Sequence, residues 1–240
     1  MNSMIPAISA QGLILAFLPA AIVIGIMLRW RSIAHTAIYA SVRMLVQLLL
    51  VGYVLIYIFE SDRWPLIAAV LLMMLTVSSW IATRTLDNRS VHAYLQALAA
   101  ISIGGVFTLL LVTQLVINVE PWFSPRYVVP LAGMIFAGSM NAVSLAAERF
   151  QAESKRGADY EEARRTALQA ALIPIINSLF AVGVVALPGM MTGQILSGVS
   201  PLIAAEYQIV VMTMLFGATG ISAASYLYLQ RLQPSAKLPE

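Results

Sequence analysis

Met190, Met191, Gln194 and Glu206 are the side chains of this chain best suited to hold a cation. The methionines and the glutamine fall within Leu187-Pro188-Gly189-Met190-Met191-Thr192-Gly193-Gln194, and Glu206 follows across a turn. Thioether sulfur is a soft ligand and a carboxylate supplies charge, so Met190, Met191 and Glu206 together suit a metal ion in transit. Methionine is equally a filler of irregular core gaps, and a solvated Glu206 at a rim needs no ligand. Both readings are open.

Arg43 and Gln47 stand four residues apart, which puts them on one helical face. A guanidinium within a membrane span costs roughly 2.5 to 3.5 kcal/mol on insertion scales and therefore needs a partner or an escape route. Arg43 can snorkel to headgroups while Gln47 bonds a neighbouring helix; alternatively the two mark the cytosolic mouth of a substrate path. Asn141 and Asn177 also fall within apolar runs, either as cross-links between helices or as part of the same path.

Between Glu148 and Arg165 the chain is charged, with acidic and basic residues in balance. Tyr160, Ala163, Ala167 and Ala171 recur there at helical spacing, which predicts a surface helix running into an apolar segment. Glu161, Glu162, Arg164 and Arg165 would form a charged rim around small apolar residues, a pattern suited to docking another protein.

Enzyme motifs are absent. No G-x-x-x-x-G-K-[ST] loop is present to cradle ATP phosphates and no H-E-x-x-H to hold zinc. His35 and His92 both fall near predicted ends of helices. The chain has no cysteine, so thiolate metal sites and disulfides are ruled out, while methionine numbers 12. No Asp or Glu falls in the middle of an apolar run to relay protons, which argues against an ion-coupled transporter and for a pump driven from outside this polypeptide.

The elements that must position these residues are membrane spans. The chain has 240 residues, 60% of them hydrophobic and 10% charged, and a mean hydropathy of +0.85, the composition of an all-α integral membrane protein. Its net charge of +3 is spread along the chain, which excludes a nucleic-acid patch. Apolar runs of bilayer length predict seven spans in a single domain over residues 1–240: about Ile8–Leu28 with a kink at Pro19, Ile33–Phe59, Trp64–Ile81, Leu95–Ile117, Val128–Ala147, Leu168–Leu187 and Tyr207–Leu229. The N-terminus lacks a signal-peptide pattern, so the first run is expected to be retained as a span. Gly104-Gly105 would allow two helices to approach closely. The glycines and prolines of residues 188–202 predict non-helical backbone, outside or re-entering the bilayer, which lipid would tolerate only if protein or water covered it. All the Lys and Arg except Arg63 and Arg126 fall on one side of such a topology, so that side is expected to be cytosolic and the N-terminus outside.

Several stretches resemble the FetB family, the permease subunit of bacterial iron-export ABC transporters, related to a plant aluminium-tolerance permease. The resemblance rests on Pro188 to Gln194 with Gln208-Ile209-Val210-Val211-Met212. It extends to Arg43-Met44-Leu45-Val46-Gln47-Leu48 with Val51-Gly52-Tyr53-Val54, to Pro130-Leu131-Ala132-Gly133-Met134 with Met140-Asn141, and to Leu172-Ile173-Pro174 with Asn177. It covers the chain from the second span to the last. The implied protein is a half-size permease of a bacterial inner membrane that pairs as a homodimer and binds a FetA-like ABC ATPase. ATP and Mg would sit on that partner, with residues 148–168 as the coupling-helix region, and iron or a related metal would be exported. One departure is Ala137-Gly138-Ser139, where relatives usually read Gly-Asn-Ser, so any role of that family asparagine has no carrier here. An organic cargo such as a nucleotide sugar, as proposed for the plant relatives, and a membrane scaffold without transport are the competing readings.

Overall fold

A computed structural model describes residues 8–61, 63–86 and 90–231. Arg89 and Lys237, counted above for topology, lie outside the described residues. Lipid offers no hydrogen-bond partner to backbone amides, so apolar runs satisfy them internally as helix. Among the described residues no strand forms; the nearest to one is an isolated bridge between Val182 and Ala186. Six helical segments are long and apolar enough to cross a membrane: Ala10–Arg29, Ala34–Phe59, Trp64–Thr85, Val91–Val116, Pro125–Lys155 and Pro201–Arg231.

The chain divides into two compact units, one ending at Glu60 and one beginning at Ser61. In the first unit, α1 (Ala10–Ala16) starts at Ser9, whose hydroxyl accepts from the Gly12 amide at 3.1 Å. It breaks at Phe17, where Pro19 can open a helix but not continue one, and α2 (Leu18–Arg29) follows. The kink predicted at Pro19 is therefore a break two residues earlier. A turn through Arg31, at φ 53°, leads to α3 (Ala34–Phe59). At 26 residues α3 is about 39 Å long, more than a bilayer core requires.

The second unit is a helix bundle centred on α7 (Pro125–Lys155) and α10 (Pro201–Arg231). Against this pair lie α4 (Trp64–Ala82), α5 (Val91–Ile101) and α8 (Tyr160–Ala181). α8 presents Ala163, Ala167 and Ala171, all buried, at a spacing of four. Such small residues let backbones meet where apolar lipid supplies no hydrophobic drive. Polar cross-links supplement the packing: Ser139 Oγ donates to the Ala218 carbonyl at 3.3 Å, Gln96 Nε2 to that of Leu229 at 3.2 Å, and Tyr160 Oη to that of Leu227 at 3.0 Å.

Gly104 explains an irregularity. The helix begun by α5 widens into π turns over Ser102–Val106, resumes as α6 (Phe107–Leu110), and widens again over Leu111–Val116. A Cβ on Gly104 would fall 2.7 Å from the Ser222 amide nitrogen and 2.8 Å from the Ala218 carbonyl, so this backbone touches α10 directly. The close approach expected of Gly104-Gly105 is present at that contact.

Residues 188–202 differ from expectation. Gly189–Leu196 is a helix, α9, capped at its start by Pro188 and followed, just past its end, by Gly198, whose φ of +93° suits glycine. The non-helical backbone lies before it, at residues 182–188, and after it, at 197–200. Proline at a first turn initiates a helix instead of breaking it, and packing of Met190 against the core outweighs the glycines. Consequently the span expected over Leu168–Leu187 ends at Ala181, and the last helix begins at Pro201, well ahead of Tyr207. The charged segment predicted from Glu148 is shared between the end of α7 and the start of α8, with a turn at Gly157, φ +88°, between them.

Candidate functional site

The two ends of α10 carry different chemistry. At its N-terminal end, α9 lies between two cavities. The first, about 490 Å³, is lined by Arg126, Tyr127, Met134, Met190, Gln194 and Tyr207 amid apolar side chains. The second, about 340 Å³, is lined by Met191, Gln208, Met212 and Thr213. Met190 and Gln194 share a face because they are four residues apart; Met191, one residue on, is turned about 100° away and faces the other cavity. Glu206 is exposed and lines neither. The structure thus distributes Met190, Met191 and Glu206 over three surroundings.

Two amide oxygens at this end have no donor. Oε1 of Gln194 and Oε1 of Gln208 are both buried without a hydrogen-bond partner, and Gln208 is only 5% exposed. Carbonyl-type oxygens shielded from water and left unpaired cost about 1–3 kcal/mol each, so both invite a cargo or a different conformation. Among the described residues no group of three or more His, Asp or Glu is gathered to hold a metal.

At the other end of α10, Glu161, Glu162, Arg164 and Arg165 all line a cavity of about 1130 Å³ whose apolar part comprises Ile103, Leu168, Leu227 and Leu229. Local chemistry fixes the start of α8: Asp159 Oδ1 accepts from the Glu162 amide at 2.8 Å, and two glutamates in the first turn favour the positive end of the helix dipole. Arg164 pairs with Glu161 and stands 5.4 Å over the Tyr160 ring. Tyr160 in turn meets Phe150 edge to face at 6.0 Å. Along the end of α7, Glu153 accepts from Arg149 at 2.6 Å and Arg156 at 3.2 Å. Within the charged rim Glu161 and Arg164 thus hold each other, while the end of α7 carries pairs of its own.

Two further polar residues of the second unit fall outside these cavities. Asn141 on α7 and Asn177 on α8 are exposed and line none of the three cavities. Arg43 and Gln47 pair with each other on α3. With the Gln47 amide oriented to satisfy both groups, its oxygen accepts from Arg43 Nε at 3.1 Å and Nη2 at 3.2 Å.

Sequence reasoning missed Arg126, Tyr207 and Gln208 as site residues. Arg126 read only as a topology marker, although Arg126, Pro130 and Met134 recur at four-residue spacing and share a helix face. Gln208, quoted only as part of a signature, gives no periodic signal that separates it from an exposed polar residue.

Six bilayer-length helices among the described residues, and a second unit with cavities at one end of α10 and a charged rim at the other, define a multi-pass membrane protein. The chain belongs to the UPF0014 family, described as an uncharacterised protein family, whose model matches residues 10–233. It is 35% identical over 223 residues to the "UPF0014 membrane protein slr1647" of Synechocystis, covering 85% of this chain and 84% of that one. It is 34% identical over 202 residues to the "Probable iron export permease protein FetB" of Escherichia coli, covering 78% and 76%. Identity to the "Protein ALUMINUM SENSITIVE 3" of Arabidopsis thaliana is 31% over 214 residues, covering 82% and 77%. No solved structure matches the chain.

Proposed function

We propose that this chain is the transmembrane subunit of an ABC exporter in a bacterial inner membrane, moving iron or a related metal ion out of the cytosol under the drive of a separate ATPase. The observation that carries the reading is the convergence of Glu161, Glu162, Arg164 and Arg165 on one recess with an apolar floor. A rim of charge around an apolar centre is the anatomy of a docking surface. Iron as cargo takes its support from the likeness to the E. coli protein named as an iron export permease.

In this reading the α7–α8 hairpin is cytosolic and receives the ATPase, on which ATP and Mg reside. Two copies of the chain pair, and closure of the two ATPases draws the hairpins together, switching the path from inward-facing to outward-facing. Such a switch needs two discrete states on which nucleotide acts with different affinity. Met190, Met191 and Gln194 belong to the far end of the path, and Glu206 stands at its rim.

Charge reversal tests the docking assignment. Glu161→Lys combined with Glu162→Lys should abolish co-purification of the ATPase while leaving the helical circular dichroism of the permease unchanged. A double variant that still brings down its ATPase in full yield refutes the assignment.

A further inference from the structure

The cavity beside Met190 has the wrong charge for a bare metal cation. Arg126 lines it, no acidic residue does, and among the described residues the Arg126 guanidinium has neither an ion pair nor a hydrogen bond. Its volume of about 490 Å³ exceeds the needs of an ion and falls within the size range of sites for organic ligands. The other polar residues on its wall are Tyr127 and Tyr207, whose hydroxyls bond no other described residue, and Gln194, whose buried Oε1 lacks a donor; Arg126 and Tyr127 are themselves exposed. All else is apolar.

We propose that this cavity binds a small hydroxycarboxylate. The lining is richer in donors than in acceptors, with a guanidinium that only donates and two phenols that can do either, so the matching ligand offers several acceptor oxygens and a hydroxyl. A planar carboxylate meets Arg126 in a two-point bond, a geometry that an ammonium or a spherical ion cannot use. The phenols donate to further oxygens of the ligand, and the ligand's own O–H donates to the Gln194 carboxamide oxygen once that amide turns toward the cavity. Arg126 carries the one charge of the lining, so the rest of the ligand is met by neutral polar groups. Hydroxycarboxylates also chelate metals, so the anion enters either alone or as the ligand shell of the cargo; the second case rests on the export reading above.

Binding to the purified full-length chain in lipid nanodiscs tests this without any ATPase, so its outcome is independent of whether the chain is an ABC subunit. The probes are citrate, ferric citrate, glucose 1-phosphate and ferrous ion without chelator. Citrate should bind saturably, and Arg126→Gln should weaken it by about tenfold or more, in line with loss of a charge-assisted pair. Arg126→Lys, which keeps charge but not the fork, should give an intermediate loss, and Gln194→Leu a smaller one. Ferric citrate binding at least as tightly as citrate identifies the metal complex as the occupant; displacement of citrate by excess citrate but not by its ferric complex identifies the free anion. Absence of saturable citrate binding, tighter binding of glucose 1-phosphate than of citrate, or citrate affinity unchanged in Arg126→Gln would overturn the proposal.

Discussion

Gln208 is a buried polar group that the bundle does not satisfy. It is 5% exposed, its Oε1 has no donor, and it faces a cavity shared with Met191 and Met212. If packing alone governed this position, a leucine would serve better, because removing a shielded, unpaired amide is worth about 1–3 kcal/mol. Gln208→Leu should therefore raise the thermal unfolding temperature in detergent while lowering transport, the pairing expected when local stability is sacrificed at a working site. A variant that unfolds at lower temperature shows instead that Gln208 holds the fold. The contrast with Gln194 is instructive. Gln194 was legible from its place beside two methionines; nothing around Gln208 in the sequence marks it as buried, since that depends on α9 folding back over α10.

At the scale of elements, composition was a good guide to where irregularity falls and a poor one to its form. Gly104-Gly105 signalled a close crossing, and the second unit has one, tight enough to press Gly104 on Ser222 where its own helix runs through π turns. Gly104→Ala should destabilise the bundle by about 1–3 kcal/mol, the cost of overpacking a well-filled contact. Gly52→Ala, on α3 with nothing within 4 Å of the added carbon, is the control and should lose no stability, since alanine is the better helix former. Equal thermal stability of the two variants would contradict the packing described. Residues 188–202 teach the opposite lesson. Their glycines and prolines predicted irregular backbone, but Pro188 sits at the start of α9, where a missing N–H costs nothing, and Gly198 just past its end, where a positive φ is required. Position within an element, which a single chain's composition does not reveal, decided the outcome.

Across the whole molecule, the membrane class and nearly all the spans were legible because hydropathy acts residue by residue and the bilayer fixes the length of a crossing. The expected seven spans compare with six helices that qualify by length and composition, the difference being α8. Its first turns carry Glu161, Glu162, Arg164 and Arg165, and its apolar part is cut short at Ala181, so the helix is half surface element and half span. What the sequence concealed is the gathering of groups distant along the chain, Arg126 with Gln194 and Tyr207, or Ile103 with Arg165 and Leu229, because nothing local encodes it. The orientation can be checked cleanly, since the chain has no cysteine of its own. A cysteine at Arg156 should react with a membrane-impermeant maleimide in inside-out vesicles and not in intact spheroplasts, and a cysteine at Ser200 should show the reverse. Labelling of Arg156→Cys from the outside would invert the topology and move the docking recess away from the cytosol.

The proposed activity itself is tested most directly by uptake of ferrous iron into inside-out vesicles from cells that make this chain together with its ATPase, with and without ATP. The account predicts ATP-dependent accumulation that vanishes with a hydrolysis-dead ATPase. It also predicts a drop when Met190 and Met191 are both replaced by leucine. A complex that assembles and hydrolyses ATP while iron stays outside the vesicles would contradict iron export, leaving the fold and the docking recess as they stand.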